Sequence, residues 1–258
     1  MSKPTFERNI VRREGDADPV DILRYLRAFL ENGGIDDSIL RSNLGLFLTA
    51  SNLTKVLFIA DVYSRIIDVP GSIYEFGCHL GQNLVLFENL RAINEPFNRQ
   101  RRFVGFDMFA LDSGYPSRSD IDGESPEIVG DSYTLPEDYP DRLKSLFAFH
   151  QDLSVTPGES RLTLRKGNAM ETVLEHLNDN PGEAIALGYF DLATYVPTKA
   201  ILDAIDERVV PGTVLVADEF NFGSYQGASK AFLEYLGHRK CKVEKSRVMT
   251  DRALFTVL

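Results

Sequence analysis

Residues Tyr74–Asn83 read YEFGCHLGQN, and this stretch decides the fold. The short apolar run at Ser72–Gly77 is typical of a buried strand, and a helix is predicted to begin shortly after Gly81. Glycines at such a turn let the backbone approach a ligand closely. The glycines are spaced G-x-x-x-G, unlike the G-x-G-x-x-G of dinucleotide-binding folds, and Glu75 precedes the first glycine by two residues. A carboxylate there would repel a pyrophosphate and attract a cationic or amino-acid-bearing cofactor, which argues against a dehydrogenase.

Short apolar runs continue after this turn and alternate with helical patterns. They lie at residues 102–107, 161–167, 185–192 and 213–220. Strands that alternate with helices predict βαβ units and a parallel sheet. The last two runs, 242–247 and 253–258, are spaced as an antiparallel hairpin. We therefore expect an α/β fold of Rossmann-like type, with a mostly parallel seven-stranded sheet that ends in an antiparallel hairpin.

The segments outside this repeating pattern define the domain organisation. Apolar stripes at residues 19–31 and 43–67 predict two helices, so residues 1–68 are expected to form an N-terminal helical extension to a main domain at 69–258. Residues 108–140 are rich in Gly, Pro, Ser and acids and directly follow a strand, which is typical of a lid-like insertion. The apolar surface of the N-terminal helices predicts a homo-oligomer, a dimer or larger, in which they help to cover the site.

Composition excludes several function classes. The chain has 28 Lys and Arg against 38 Asp and Glu, a net charge of −10, so neither nucleic acid nor an anionic membrane is expected as a main partner. No run approaches the ~20 apolar residues that span a bilayer, and the first residues lack the apolar segment of a secretory signal. The two cysteines, Cys78 and Cys241, show no C-x-x-C or zinc spacing. These features predict a cytoplasmic protein.

Polar residues follow three successive predicted strands. Asp107 ends the second strand, where an acid can accept hydrogen bonds from both ribose hydroxyls of an adenosine group. Asn168 follows the third strand, where its amide could contact an adenine edge. Together with Glu75 these positions lie in order on three neighbouring strand ends, an arrangement that is rare by chance. They predict a site for a nucleoside-bearing cofactor.

Beyond these positions the sequence resembles the class I S-adenosylmethionine-dependent methyltransferases, and more narrowly the macrocin O-methyltransferase family of metal-dependent sugar O-methyltransferases. The likeness runs from about Val69 to the C terminus. It is carried by five stretches: VPGSIYEFG at 69–77, GFDMF at 105–109, GNAMET at 167–172, DLATYVPTK at 191–199 and PGTVLVADE at 211–219.

The resemblance implies S-adenosylmethionine as cofactor and a sugar hydroxyl, nucleotide-linked or in a glycoside, as acceptor. The cofactor residues it implies are Glu75, Phe76, Gly77, Gly81, Asn83, Asp107, Met108, Asn168, Ala169 and Asp191. It also implies that Asp191, Asp218 and Glu219 bind Mg²⁺, which prefers oxygen ligands. The metal would lower the pKa of the sugar hydroxyl.

Several of these residues have alternative interpretations. Asp191 is a candidate catalytic residue, but an acid between a strand and a helix is also a common N-cap. His150 is a candidate general base, or it merely favours the negative end of a helix. Asp218 and Glu219 are adjacent, so only a turn at the strand end would let both reach one ion.

The chain also departs from the family pattern. Ala193, Val196 and Ala228 stand where relatives often have acids, and Leu80-Gly81-Gln82 replaces a common Arg-Gly-Gly. These departures keep two other functions open. One is a metal-independent N- or O-methyltransferase in which Asp191 orients the acceptor, and the other is a non-catalytic binding subunit with the same fold.

Overall fold

The computed structural model describes residues 27–29, 31, 36–109, 135–221 and 226–258. The chain forms two compact units, Met1–Leu57 and Phe58–Leu258. Most of the predicted helix at 19–31 and most of the predicted insertion at 108–140 lie outside the described residues. The boundary proposed at residue 68 and the role of the insertion as a lid therefore stay predictions.

The first unit contains short helical segments. Helix α1 spans Asp37–Arg41, a 3-10 helix spans Leu44–Phe47, and helix α2, Ala50–Ser64, begins in this unit. The single helix predicted over residues 43–67 is therefore wrong at its start. Leu48 is extended, at φ −85° and ψ 108°, and the Thr49 hydroxyl accepts a hydrogen bond from the Asn52 backbone N–H, as an N-cap does.

Seven strands of the second unit form one sheet. They are β1 Ser72–Phe76, β2 Phe103–Asp107, β3 Leu162–Lys166, β4 Ile185–Phe190, β5 Val209–Ala217, β6 Cys241–Lys245 and β7 Ala253–Val257. Their order is β3-β2-β1-β4-β5-β7-β6. The first five strands are parallel, and β7 runs antiparallel to both of its neighbours. The predicted Rossmann-like sheet and its C-terminal antiparallel hairpin are confirmed.

In the part of the chain that the structure describes, the second unit contains five further α-helices and a 3-10 helix at Asp206–Arg208. The α-helices are α3 Gln82–Asn94, α4 Tyr139–Asp152, α5 Ala169–Asp179, α6 Tyr195–Ile205 and α7 Gln226–Tyr235. Among the described residues, none of the helices has the length and apolar character needed to cross a membrane.

The core of the second unit lies on both faces of the sheet. Successive side chains of a strand point to opposite faces, and Ile73 and Tyr74 accordingly belong to two different buried clusters. The cluster around Ile73 includes α2, α3 and α4 through residues such as Phe87 and Phe147. The other cluster includes residues of α5, α6 and α7. Strands β1, β2 and β4 are thereby enclosed almost throughout, which explains their nearly continuous apolar sequences. The edge strand β3 is partly exposed, and its sequence, LTLRK, is accordingly mixed.

Strand order locates the functional edge of the sheet. From β1 the chain first adds β2 and β3 on one side, and then crosses to β4 on the other side. In open parallel sheets, ligands bind beyond the carboxyl ends of the strands at the point where this direction reverses. That point lies between the ends of β1 and β4, at Phe76 and Phe190.

Candidate functional site

Gly77 ends β1 in a conformation that suits glycine. Its φ is +83°, and a Cβ atom added there would overlap the backbone carbonyl oxygen of Asp191. The Asp191 backbone N–H donates a hydrogen bond of 2.9 Å to the Phe76 carbonyl. The ends of β1 and β4 are therefore joined through their backbones at the switch point.

The turn after Gly77 leads into α3 and encloses a buried polar pair. Gly81, at φ +74°, is the N-cap of α3, and a Cβ there would come within 2.5 Å of Leu143. Asn83, in the first turn of α3, donates a hydrogen bond of 2.7 Å to Glu75 Oε1. Both side chains are buried, and Asn83 Oδ1 has no hydrogen-bond partner among the described residues. Asn83 thus places a buried acceptor next to a carboxylate, a combination suited to a cationic group.

Asp107 connects the second strand to this turn. Its Oδ2 accepts a hydrogen bond of 2.7 Å from the His79 backbone N–H, and its Oδ1 accepts one of 2.6 Å from the Phe109 backbone N–H. His79 has a left-handed φ of 45°, which brings its N–H to the carboxylate. Two of the predicted cofactor acids, Glu75 and Asp107, therefore flank one turn.

Cys78 lies between these two acids as a neutral thiol. Burial raises the pKa of the Cys78 thiol well above its usual value, and the charges of Asp107 and Glu75 raise it further. Its sulfur lies 3.1 Å from where a Cβ on Gly105 would stand. Cys78 is therefore a small residue that lines the turn, and its thiol is not activated as a nucleophile.

The end of the third strand is fixed by a helix cap. Asn168 is the N-cap of α5, and its Oδ1 accepts 3.1 Å from the Met170 backbone N–H. The backbone N–H of Gly167 donates a hydrogen bond of 3.0 Å to the Asp107 carbonyl, which keeps the end of β3 beside the end of β2. The contact of Asn168 and Ala169 with an adenine ring stays a prediction.

Asp218, at the end of β5, is held in a buried ion pair. Its side chain is 6% exposed. Oδ1 accepts a hydrogen bond of 2.9 Å from Arg252 Nε, and Oδ2 accepts one of 2.6 Å from Arg252 Nη2. The Tyr189 hydroxyl also donates to Asp218 Oδ1. Burial raises the pKa of the Tyr189 phenol well above its usual value, as does Asp218, so this group remains a donor.

The predicted magnesium site is not assembled in this arrangement. Among residues 36–109, 135–221 and 226–258, no group of three or more His, Cys, Asp or Glu side chains lies close enough to hold a metal ion. Asp218 accepts three hydrogen bonds, and Arg252 already balances its charge. The set of Asp191, Asp218 and Glu219 therefore does not fit Mg²⁺ here.

The two candidate catalytic residues are far apart in the fold: Asp191 follows β4, and His150 lies near the end of α4. Asp191 is exposed at the end of β4, and the N-cap of α6 is Thr194, so the interpretation of Asp191 as a helix cap is wrong. His150 lies in the last turn of α4, with its Nδ1 3.1 Å from Asn89 Oδ1.

The direction of α4 rules out His150 as the general base. The Tyr139 hydroxyl, at the start of α4, donates a hydrogen bond of 3.0 Å to the Leu80 carbonyl. Leu80 belongs to the turn between β1 and α3, which we call the cofactor turn. At the other end of α4, the Gln151 side chain accepts a hydrogen bond of 2.9 Å from the backbone N–H of Arg161, which directly precedes β3. His150 is thus at the end of the sheet opposite the cofactor turn.

Sequence reasoning missed two contributors to this edge, Tyr139 and Arg252. Tyr139 is the next-to-last residue of the insertion predicted at 108–140, and only its position at the start of a helix hinted at a role. Arg252 precedes the last strand, and an arginine there, next to an acid-bearing strand end, was the available signal.

This sheet, its cofactor turn and its pair of acids define a class I S-adenosylmethionine-dependent methyltransferase, and so an enzyme. The calicheamicin methyltransferase CalS11 is 32% identical in a structure with a TM-score of 0.81, covering 99% of this chain and 98% of that one. A second, apo structure of CalS11, described as a TDP-rhamnose 3'-O-methyltransferase, has a TM-score of 0.74 at 32% identity and covers 93% and 96% of the two chains. The chain belongs to the family of sugar O-methyltransferases that includes CalS11, in agreement with the resemblance seen in the sequence.

More distant structures share the fold alone. The O-methyltransferase NovP has a TM-score of 0.61 at 14% identity, and the match covers 79% of each chain. No family model matches the chain, and no curated protein matches it.

Proposed function

We propose that the enzyme methylates a hydroxyl group of a sugar that is linked to a nucleotide. The observation that carries this proposal is the likeness to CalS11, which extends over 99% of the chain at 32% identity. CalS11 is described as acting on TDP-rhamnose at the 3' hydroxyl. Because the likeness includes the parts of the chain outside the cofactor turn, it supports an acceptor of the same chemical class.

When bound, S-adenosylmethionine would supply an electrophilic methyl group, carried on a sulfonium that leaves as a neutral thioether, to the acceptor oxygen. Glu75 and the buried Oδ1 of Asn83 would hold the ammonium of the methionine part. The backbone N–H groups at the start of α3 would favour the carboxylate of the same methionine part. Asp107 would hold the ribose.

Asp191 is the residue we propose to receive the hydroxyl proton and to orient the acceptor. Its carboxylate is exposed at the end of β4, and its backbone contacts Phe76 and Gly77 of the cofactor turn. A base must lie within hydrogen-bond reach of the proton that it removes. Asp191 satisfies this for an acceptor bound over the switch point, whereas His150 does not.

We propose that the acceptor is activated without a metal, since no group of three candidate ligands lies together among the described residues. Asp218 is engaged by Arg252 and Tyr189, so we expect methyl transfer to persist in EDTA. Activity that is lost in EDTA and restored by Mg²⁺ would instead support the three-carboxylate site that the resemblance implies.

A direct test measures transfer of an isotope-labelled methyl group from S-adenosylmethionine to a panel of acceptors. The panel contains a nucleoside-diphosphate deoxysugar, the free sugar and a glycoside of the same sugar. We expect a labelled product with the nucleotide-linked sugar and little with the others. Turnover of the glycoside alone would overturn the proposed acceptor, and Asp191→Asn should lower kcat while the affinity for S-adenosylhomocysteine is kept.

A further inference from the structure

Helix α4 has a second apolar face that the core does not use. Leu143 and Phe147 point into the core and are buried. Leu146, Phe149 and Leu153 follow the spacing i, i+3, i+7, which places them in one stripe, and all three are exposed. A helix that packs only against a sheet needs one apolar face, so this outer stripe calls for another explanation.

Helix α3 extends the stripe into a continuous surface. His150 of α4 contacts Asn89 of α3 at 3.1 Å, which sets the two helices side by side. Ile93 lies one turn after Asn89, and Leu153 lies about one turn after His150. Both helices run antiparallel to the strands, so these exposed side chains come to the same level.

The segments that follow the two helices are joined as well. The Thr156 hydroxyl donates a hydrogen bond of 3.0 Å to the Pro96 carbonyl, which joins the two segments that carry the exposed Val155 and Phe97. We name the α3/α4 apolar face by its six large side chains: Ile93, Phe97, Leu146, Phe149, Leu153 and Val155.

The extent of this face matches what a stable interface needs. Its six side chains are each between 47% and 76% exposed. Because a phenylalanine side chain buries about 150–250 Å², Phe97 and Phe149 together expose roughly 200–330 Å², and the four aliphatic side chains bring the face to on the order of 600 Å². Apolar patches on monomers reach about 300–600 Å², and a standard interface buries about 800 Å² on each partner. The face therefore supplies most of one side of a standard interface.

We propose that the α3/α4 apolar face binds the same face of a second copy of this chain. The six side chains of the face are all apolar, and its two phenylalanines are of the type enriched at interface cores. A two-fold pairing brings one such face onto an identical one, so both sides are apolar. The face lies at the His150 end of α4, opposite the cofactor turn, so pairing leaves the catalytic edge open.

Light scattering after gel filtration of the full chain tests this proposal. We expect a wild-type mass of at least twice 29.0 kDa. Phe149→Glu combined with Leu153→Glu should reduce the mass by half or more, while the affinity for S-adenosylhomocysteine and the unfolding temperature are kept. The matched control combines Leu174→Glu on α5 with Leu233→Glu on α7, two exposed leucines outside the face, and should keep the wild-type mass.

Three results would overturn the proposal: a wild-type mass of 29.0 kDa, an unchanged mass in the Phe149/Leu153 variant, or an equal loss in the control. An unchanged mass would also leave the predicted N-terminal helices as the contact surface. If the glutamate variant does not fold, the double alanine variant is diluted instead. Its dissociation constant should rise at least tenfold, and an unchanged constant would refute the pairing.

Discussion

Arg252 and Asp218 form a two-point ion pair in the interior, with Nε–Oδ1 at 2.9 Å and Nη2–Oδ2 at 2.6 Å. Asp218 follows β5 and Arg252 precedes β7, so the pair joins these antiparallel strands at the catalytic edge of the sheet. An acid that the family resemblance assigns to magnesium therefore serves here as an anchor for a neighbouring strand.

Removing Arg252 should destabilise the protein strongly. Arg252→Met would leave the Asp218 carboxylate buried without its partner, which typically costs about 3–5 kcal/mol. The free energy of unfolding in urea measures this loss. Combining Arg252→Met with Asp218→Asn removes both charges and should recover part of the loss, and a single variant as stable as wild type would contradict the role of the pair.

Gly77 should tolerate no side chain. Gly77→Ala would place a methyl group against the Asp191 carbonyl at a φ of +83°, so the turn must shift. We expect the free energy of unfolding to fall by about 2–4 kcal/mol and S-adenosylhomocysteine to bind more weakly. Gly182→Ala is the matched control, because a Cβ there meets nothing within 4 Å. Calorimetric titration of both variants makes the comparison, and equal affinities would argue against a tight turn.

The charge of Glu75 should contribute to cofactor affinity. Glu75→Gln keeps the size of the side chain and removes the negative charge beside the Asn83 acceptor, so we expect S-adenosylhomocysteine to bind at least ~10-fold more weakly. Gln82→Ala, at an exposed neighbour on α3, should leave the affinity unchanged. If Glu75→Gln binds as tightly as wild type, the turn does not recognise the ammonium group.

Acid should weaken the fold through Glu183. Burial works against ionisation of Glu183, but hydrogen bonds from His176, Ser72 and Tyr74 outweigh it and hold the pKa of the carboxyl below its usual 4.5. Because the folded-state pKa is the lower one, the stabilisation is complete above about pH 4.5 and is lost as the pH falls through the folded value.

Unfolding measured between neutral and acidic pH tests this dependence. Glu183→Gln should be less stable at neutral pH and should lose less of its stability on acidification. The exposed Glu175→Gln serves as control and should follow the wild-type curve. A Glu183 variant whose pH profile parallels wild type would show that the contacts of this carboxyl do not depend on its charge.

The central strands were predictable because a strand buried on both faces has a short apolar sequence, as β1 and β4 do. The order of Glu75 and Asp107 was also predictable, since consecutive strands of a parallel sheet end at the same edge. The pairing of Asp218 with Arg252 was not. It joins residues that are 34 apart in sequence and depends on the register that sets Ala217 opposite Ala253.

The error over His150 has a similar cause. Periodicity places a residue on a helix but does not show which end of the helix faces the ligand. That direction follows only once Tyr139 is seen to contact the Leu80 carbonyl and Gln151 to contact Arg161. The break at Leu48 was missed because its apolar side chain continues the helical pattern while its backbone does not.

The junction at Gly77 has an evolutionary consequence. Main-chain atoms alone set the spacing between the turn that follows β1 and the acid that follows β4, through the Phe76 carbonyl, the Asp191 N–H and a glycine without a side chain. Descendants of this protein could therefore exchange the side chains around an incoming sugar. The distance between the turn after β1 and Asp191 would still be inherited.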